Sequence, residues 1–297
     1  MWTKVSVNVR TDKGAIVMGF RLHASDRDAT ALLRRLAVEE LGALEQGTGV
    51  HDARKRVKKM RAALRLVRAG FRGAADEGAI LRDAAQGLSG QRDAEVMLAV
   101  LDRLASADEA TALRAHLTAR IAASQDDGTA FAAFLSAVAP VRDRAQTWVV
   151  KGKSARVLAA GLSQSRERGQ RAMARALREG PESEAMHDWR KRVKDLWYQA
   201  RLFQPVWPAA MDPVVTAADD LGEALGDHHD LVVFREVLSG VAGDAALAAD
   251  AAEMHARAGR LQAVIVEKVR LDGARLLAGD PDAVAAQWVD WWRLWRS

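Results

Sequence analysis

The sequence contains no cysteine, which excludes a disulfide framework, a thiolate metal site and a thiol nucleophile, and fits a reducing cytoplasm. It also lacks a long hydrophobic run. The longest uncharged, mainly apolar stretch is residues 128–141, too short to span a bilayer, and a buried helix is expected there. The first nine residues alternate apolar and polar side chains without the continuous apolar segment that a secretory leader needs. Proline is scarce, six residues with none before Pro140, and only 5% of the chain is aromatic. Neither sign of charge dominates: 44 Lys and Arg face 39 Asp and Glu, and the net +5 would attract nothing in particular if spread evenly. With 49% hydrophobic residues the chain can bury a core, so disorder is excluded as its main state.

The charge is not spread evenly. Residues 51–72 hold nine Lys or Arg against Asp52, and residues 187–201 hold five against Asp188 and Asp195. These segments carry +8 and +3, which leaves −6 for the other residues. The protein is a mildly acidic body with two basic segments set into it.

Alanine, leucine and arginine recur at spacings of three and four, so the chain is expected to be mainly helical. One helix carries Arg34, Leu36, Glu40 and Leu44 and is expected to start at Ser25 or Asp26. Val5, Val7 and Val9, with a period of two, suggest a strand or an extended arm over residues 1–20. Breaks are expected near Gly70, Gly87, Gly128, Pro140, Gly180, Pro205 to Pro213, and Gly240. Helices between such breaks favour a bundle.

The sequence repeats itself. HDARKRVKKMRAALRLV (residues 51–67) and HDWRKRVKDLWYQARLF (residues 187–203) align without gaps at an offset of 136, identical at nine of 17 positions. LSGQRDAEVML (residues 88–98) and LGDHHDLVVFR (residues 225–235) follow at an offset of 137, pairing Asp93 with Asp230. Two matches in the same order imply an internal duplication, with halves of 21–148 and 149–297.

On a helix, His51, Arg54, Lys58, Arg61 and Arg65 fall within about 80° of arc, with Lys55 and Lys59 beside them. Ala53, Val57, Met60, Leu64 and Val67 form a neighbouring apolar face. The second copy places His187, Arg190, Lys194 and Arg201, with Lys191 alongside, next to Val193, Leu196, Ala200 and Phe203. Like charges at these spacings repel, so each stripe needs an anionic partner, and guanidinium groups bind phosphate bidentately. The alternative is a solvated basic face paired with acids of neighbouring helices. The histidines stand near expected helix starts, with Thr48 as N-cap of the first and Pro181 near the start of the second. Either they contact an oxyanion there, more strongly as pH falls below about 6.5, or they hydrogen-bond to a neighbouring loop.

The doubled H-x-x-R-x-x-x-K motif, with Arg92-Asp93 and His229-Asp230 downstream, resembles the conserved histidine α-helical domain family, CHAD. The resemblance runs from about Arg21 to the C-terminal helix. It implies an all-α fold of two pseudo-symmetric antiparallel four-helix bundles, with a basic central cleft or pore that binds inorganic polyphosphate, often at polyphosphate granules. His51, Arg54, Lys58, Lys59 and Arg61 stand where the family motif has its histidine and basic residues. In the second copy His187, Arg190 and Lys194 match, whereas Asp195 and Trp197 replace basic residues and Tyr198 keeps an aromatic. Arg166, Arg168, Arg171 and Arg175, and in the first half Arg34 and Arg35, rank second as ligands. The E-x-E-x-K signature of the triphosphate tunnel enzymes, a frequent fusion partner, does not occur.

This reading makes the protein a cytoplasmic binding module without cofactor or bound metal, not an enzyme. One rival is metal-dependent phosphohydrolysis through His228-His229-Asp230 and His187-Asp188, although the first-half counterpart, Gln91-Arg92-Asp93, keeps only the aspartate. Nucleic acid is the other rival; the stripes lack interleaved aromatics for base stacking apart from Trp197-Tyr198. At the C-terminus Trp288, Trp291, Trp292 and Trp295 share one helix face, suited to packing on the bundle or to attachment to a granule or protein partner.

Overall fold

The computed structural model describes residues 19–47, 49–88, 90–123 and 128–297. Among these every regular element is helical: α1 Ala29–Gly42, α2 Val50–Leu66, α3 Ala74–Gln86, α4 Gly90–Leu104, α5 Thr111–Ala123, α6 Thr129–Ala145, α7 Ser154–Glu179, α8 Glu184–Phe203, α9 Pro208–Val241, α10 Ala248–Leu276 and α11 Pro281–Arg296. The Val5 to Val9 arm, the Thr48 cap and the side chains of Gln91, Arg92 and Asp93 lie outside the described residues.

Local chemistry sets most boundaries. Asp28 and Asp280 cap α1 and α11 by accepting from Ala31 N and Ala283 N, and Pro208 and Pro281 open α9 and α11 where no N–H is needed. Gly180, at φ 93°, ends α7 in a conformation that side chains with a Cβ resist. Three expectations differ. Helix α1 starts at Asp28, because Asp26 is already engaged by Arg35 and by His23 N. Helix α8 starts at Ser183, two residues beyond Pro181. Pro140 and Pro213, expected at breaks, lie inside α6 and α9.

Two buried apolar clusters share the long helices α7, α8 and α9. The first adds α1, α2, α3, α6 and α11; the second adds α4, α5 and α10. Both repeated helices bury most of the expected face: Ala53, Val57, Met60, Leu64 and Val67 on and just after α2, and Val193, Ala200 and Phe203 on α8, are inaccessible to water, while Leu196 is half-buried. Packing brings them together. Gln199 on α8 donates to Ala62 O on α2 and to Ser165 Oγ on α7, and Gly161 lets α7 close on α2 so tightly that an added Cβ would overlap the Leu66 carbonyl. At the C-terminus Trp288 and Trp292 belong to the first cluster, and Trp291 meets the half-exposed Trp207 edge-on at 4.9 Å. Packing accounts for the C-terminal tryptophan stripe.

Candidate functional site

Where α2, α3, α7 and α8 meet, a recess of about 240 Å³ opens. Arg61, Arg65 and Arg68 enter it from α2 and the turn after it, at spacings of four and three that keep them on one face. Arg82 comes from α3, Arg168 from α7 and Arg192 from α8. Ala74, Ala75, Gly78 and Ala79 supply the α3 wall, and their small side chains leave the volume open.

Asp195 on α8 accepts from Arg65 at 2.7 Å and from Arg192 at 3.3 Å. Arg82 turns partly to solvent, where it meets Asp83. One carboxylate on two arginines leaves the group under-neutralised. Burial first, and Arg65 second, push the Arg61 guanidinium down to about 10, and its Nε has no hydrogen-bond partner. Burial followed by Arg68, Arg192 and Arg65 lowers Arg168, and burial lowers Arg65 despite Asp195. Guanidinium groups resist deprotonation, so the recess is cationic throughout the physiological range.

A second, more open recess of about 200 Å³ adjoins the first and shares Arg168 and Arg192 with it. Arg171 and Arg175 line it, but they pair with Glu167 and with Glu179 at 2.8 Å, and Asp188 lies 3.8 Å from Arg175. Cationic excess therefore falls from the first recess to the second.

Of the sequence-nominated ligands, the structure brings Arg61 and Arg65 into the first recess, Arg171 and Arg175 into the second and Arg168 into both, while Arg166 binds the Leu276 and Ala278 carbonyls. It commits several others elsewhere. Lys59 is 8% exposed and donates to Glu40 at 2.7 Å, with Arg56 on the other Glu40 oxygen. Arg34 binds the Trp148 carbonyl, and Arg35 binds Asp26, Glu39 and the Arg21 carbonyl. These three serve the fold, because their helix faces turn to buried acids and loop carbonyls instead of the recess. Lys194 pairs with Glu223 at 2.6 Å and Asp219 at 3.3 Å, and Trp197 lies between Lys194 and Arg201 at 4.7 and 5.0 Å. Lys191 pairs with Asp188. Arg54 reaches the Ala85 carbonyl at 3.4 Å, while His51, Lys55 and Lys58 are exposed at the start of α2. Against the effect of burial, Lys194, Arg190 and Lys58 hold the Glu223 carboxylate below its usual range, which places all three near that acid.

Sequence reasoning missed Arg68, Arg82 and Arg192. Arg68 extends the 61, 65 spacing by one step and was visible in principle. Arg192 lies off the α8 stripe and Arg82 is a lone arginine, so only packing reveals them.

The histidines behave otherwise than expected. His187 stacks on His229 at 4.2 Å, and His228, 1% exposed, shares a hydrogen bond of 3.1 Å with Gln262. Burial, then the neighbouring His229, pushes both His187 and His228 down to about 4. In the free protein His187 is therefore uncharged at pH 6 and adds no attraction there. An unfolded histidine titrates near 6.5 and takes up protons first, so these groups oppose folding increasingly as pH falls from about 6.5 towards 4. The thermal midpoint should drop over that range, and the drop should be shallower in His187→Gln; parallel profiles would contradict the assignment.

The profile of the CHAD domain matches residues 27–239. The fold resembles the crystal structure of the CHAD domain from the plant Ricinus communis, with a TM-score of 0.53, 20% identity, and coverage of 91% of this chain and 96% of that one. No curated protein matches the sequence.

Proposed function

The chain belongs to the CHAD domain family, and on that premise we propose that it binds inorganic polyphosphate in the arginine recess between α2, α3, α7 and α8. The observation that carries this reading is the charge imbalance: six arginines surround about 240 Å³, and the carboxylate of Asp195 bridges only two of them. A phosphate polymer supplies the missing charge, and guanidinium forks match its oxygens bidentately. We read the site as a binding site without catalysis; His228 is buried against Gln262, and neither it nor His229 lines either recess.

Nucleic acid fits less well, because no aromatic side chain lines either recess among the described residues. We also read the chain as two duplicated halves, 21–148 and 149–297. The meeting of α2 with α8 supports this, and the shared clusters make the halves interlocked. No helix among the described residues is long and apolar enough to cross a membrane. Residence at polyphosphate granules accords with the ligand.

Capture of the protein on immobilised polyphosphate at physiological salt, with single-stranded RNA as competitor, tests the reading. Binding should weaken steeply with salt, as counterion release requires of a multi-phosphate contact. Equal displacement by RNA at equal charge, or an affinity indifferent to salt, would refute it.

A further inference from the structure

Resting on the polyphosphate reading, we propose that the first recess takes the terminal phosphates of the chain, so that a polymer end, not any internal stretch, is the unit recognised. Size is the first argument. A volume of about 240 Å³ equals roughly eight waters at about 30 Å³ each, room for a few phosphates at a time.

Charge is the second. A terminal phosphate carries about −1.5 to −2 near neutral pH, by analogy with a phosphomonoester, whereas an internal one carries a single charge. The end is thus the densest charge on the polymer. It matches the first recess, where six arginines meet one interior acid, better than the second, where Arg171 and Arg175 are already paired. An internal stretch would meet strong attraction at one point and weaker attraction beside it.

The third argument is the way out. On the α3 side the wall is Ala74, Ala75, Gly78 and Ala79, and Arg82, the cation that α3 adds to the lining, is turned partly to solvent and paired with Asp83. Cations continue past Arg168 and Arg192 into the second recess, and along α7 through Arg171, Arg175 and Arg178, at steps of three, four and three that keep one face. A chain anchored by its end can follow that route outward.

The experiment compares linear polyphosphate of roughly sixty phosphates with the same polymer capped as phosphoramidates at both ends, which removes about one charge per end and leaves the bulk attraction almost unchanged. Titrated against the full chain, the capped polymer should bind about tenfold more weakly or worse, the loss of at least one charge-assisted contact. Linear tripolyphosphate should displace the free polymer, and cyclic trimetaphosphate, which has no end, should not. Equal affinity for capped and free polymer overturns the inference and leaves the polyphosphate reading standing. Failure of the free polymer to bind overturns both. In Arg61→Gln/Arg192→Gln the preference for free ends should vanish; its persistence would mean that the ends bind elsewhere.

Discussion

Exchanging Arg61, Arg168 and Arg192 together for glutamine should lower polyphosphate affinity at least about a hundredfold, since each charge-assisted contact contributes about 1.5–3 kcal/mol. Glutamine keeps most of the aliphatic stem, so the packing that a buried arginine provides is largely retained. Stability should move the other way. Arg61 is held at about 10 by burial and by Arg65, and Arg168 is lowered by burial and by Arg68, Arg192 and Arg65, so in the free protein these groups repel one another. The triple variant should melt no lower than the parent. Titration and a thermal melt on the same sample read both effects. A control that changes Arg103, Arg270 and Arg293, three exposed arginines with acidic partners, removes the same net charge outside both recesses. If the control weakened binding as much as the triple variant, diffuse attraction and not the recess would be responsible.

The second large effect concerns Lys59, which the motif nominates as a ligand. Glu40 is 1% exposed and its carboxylate bridges Lys59 and Arg56. Glu40→Ala would leave a buried ammonium uncompensated, at a cost of about 3–5 kcal/mol, or on the order of 10 °C in the thermal midpoint. Burial already lowers Lys59 below the usual ammonium range, with Glu40 opposing. Loss of Glu40 removes that opposition. A base whose folded pKa lies below its unfolded value destabilises most at low pH, so the deficit should narrow as pH rises into the alkaline range. The double variant Glu40→Leu/Lys59→Met should recover most of the stability and bind polyphosphate like the parent. Weakened binding in that correctly folded double variant would return Lys59 to the site.

How far the sequence reached depends on the kind of interaction. The helical fold was legible because periodicity is local: the buried faces of α2 and α8 are the apolar positions that the spacing picks out, and glycines mark the ends of α2, α7 and α9. The requirement for an anion was legible too, because like charges at helical spacing repel wherever the helix is placed. The ligand set was only half legible. Arg61 and Arg65 share the stripe and the recess, but Lys194 and Arg201 share the stripe, and Lys59 the motif, and are committed to Glu223 and Asp219, to the Trp197 ring, and to Glu40.

By itself, then, the sequence determined that the protein is helical, internally repeated and basic along two related helices. Those properties follow from interactions a few residues apart, which sequence order encodes directly. Only the tertiary structure decided which cations remain short of a partner. That depends on Glu40 and Asp195 reaching across to other helices, on Gly161 letting α7 close on α2, and on the small α3 wall that leaves the recess open. Neutralisation acts through space over a few ångströms, so charges over a hundred residues apart in the chain, such as Arg65 and Asp195, settle it together.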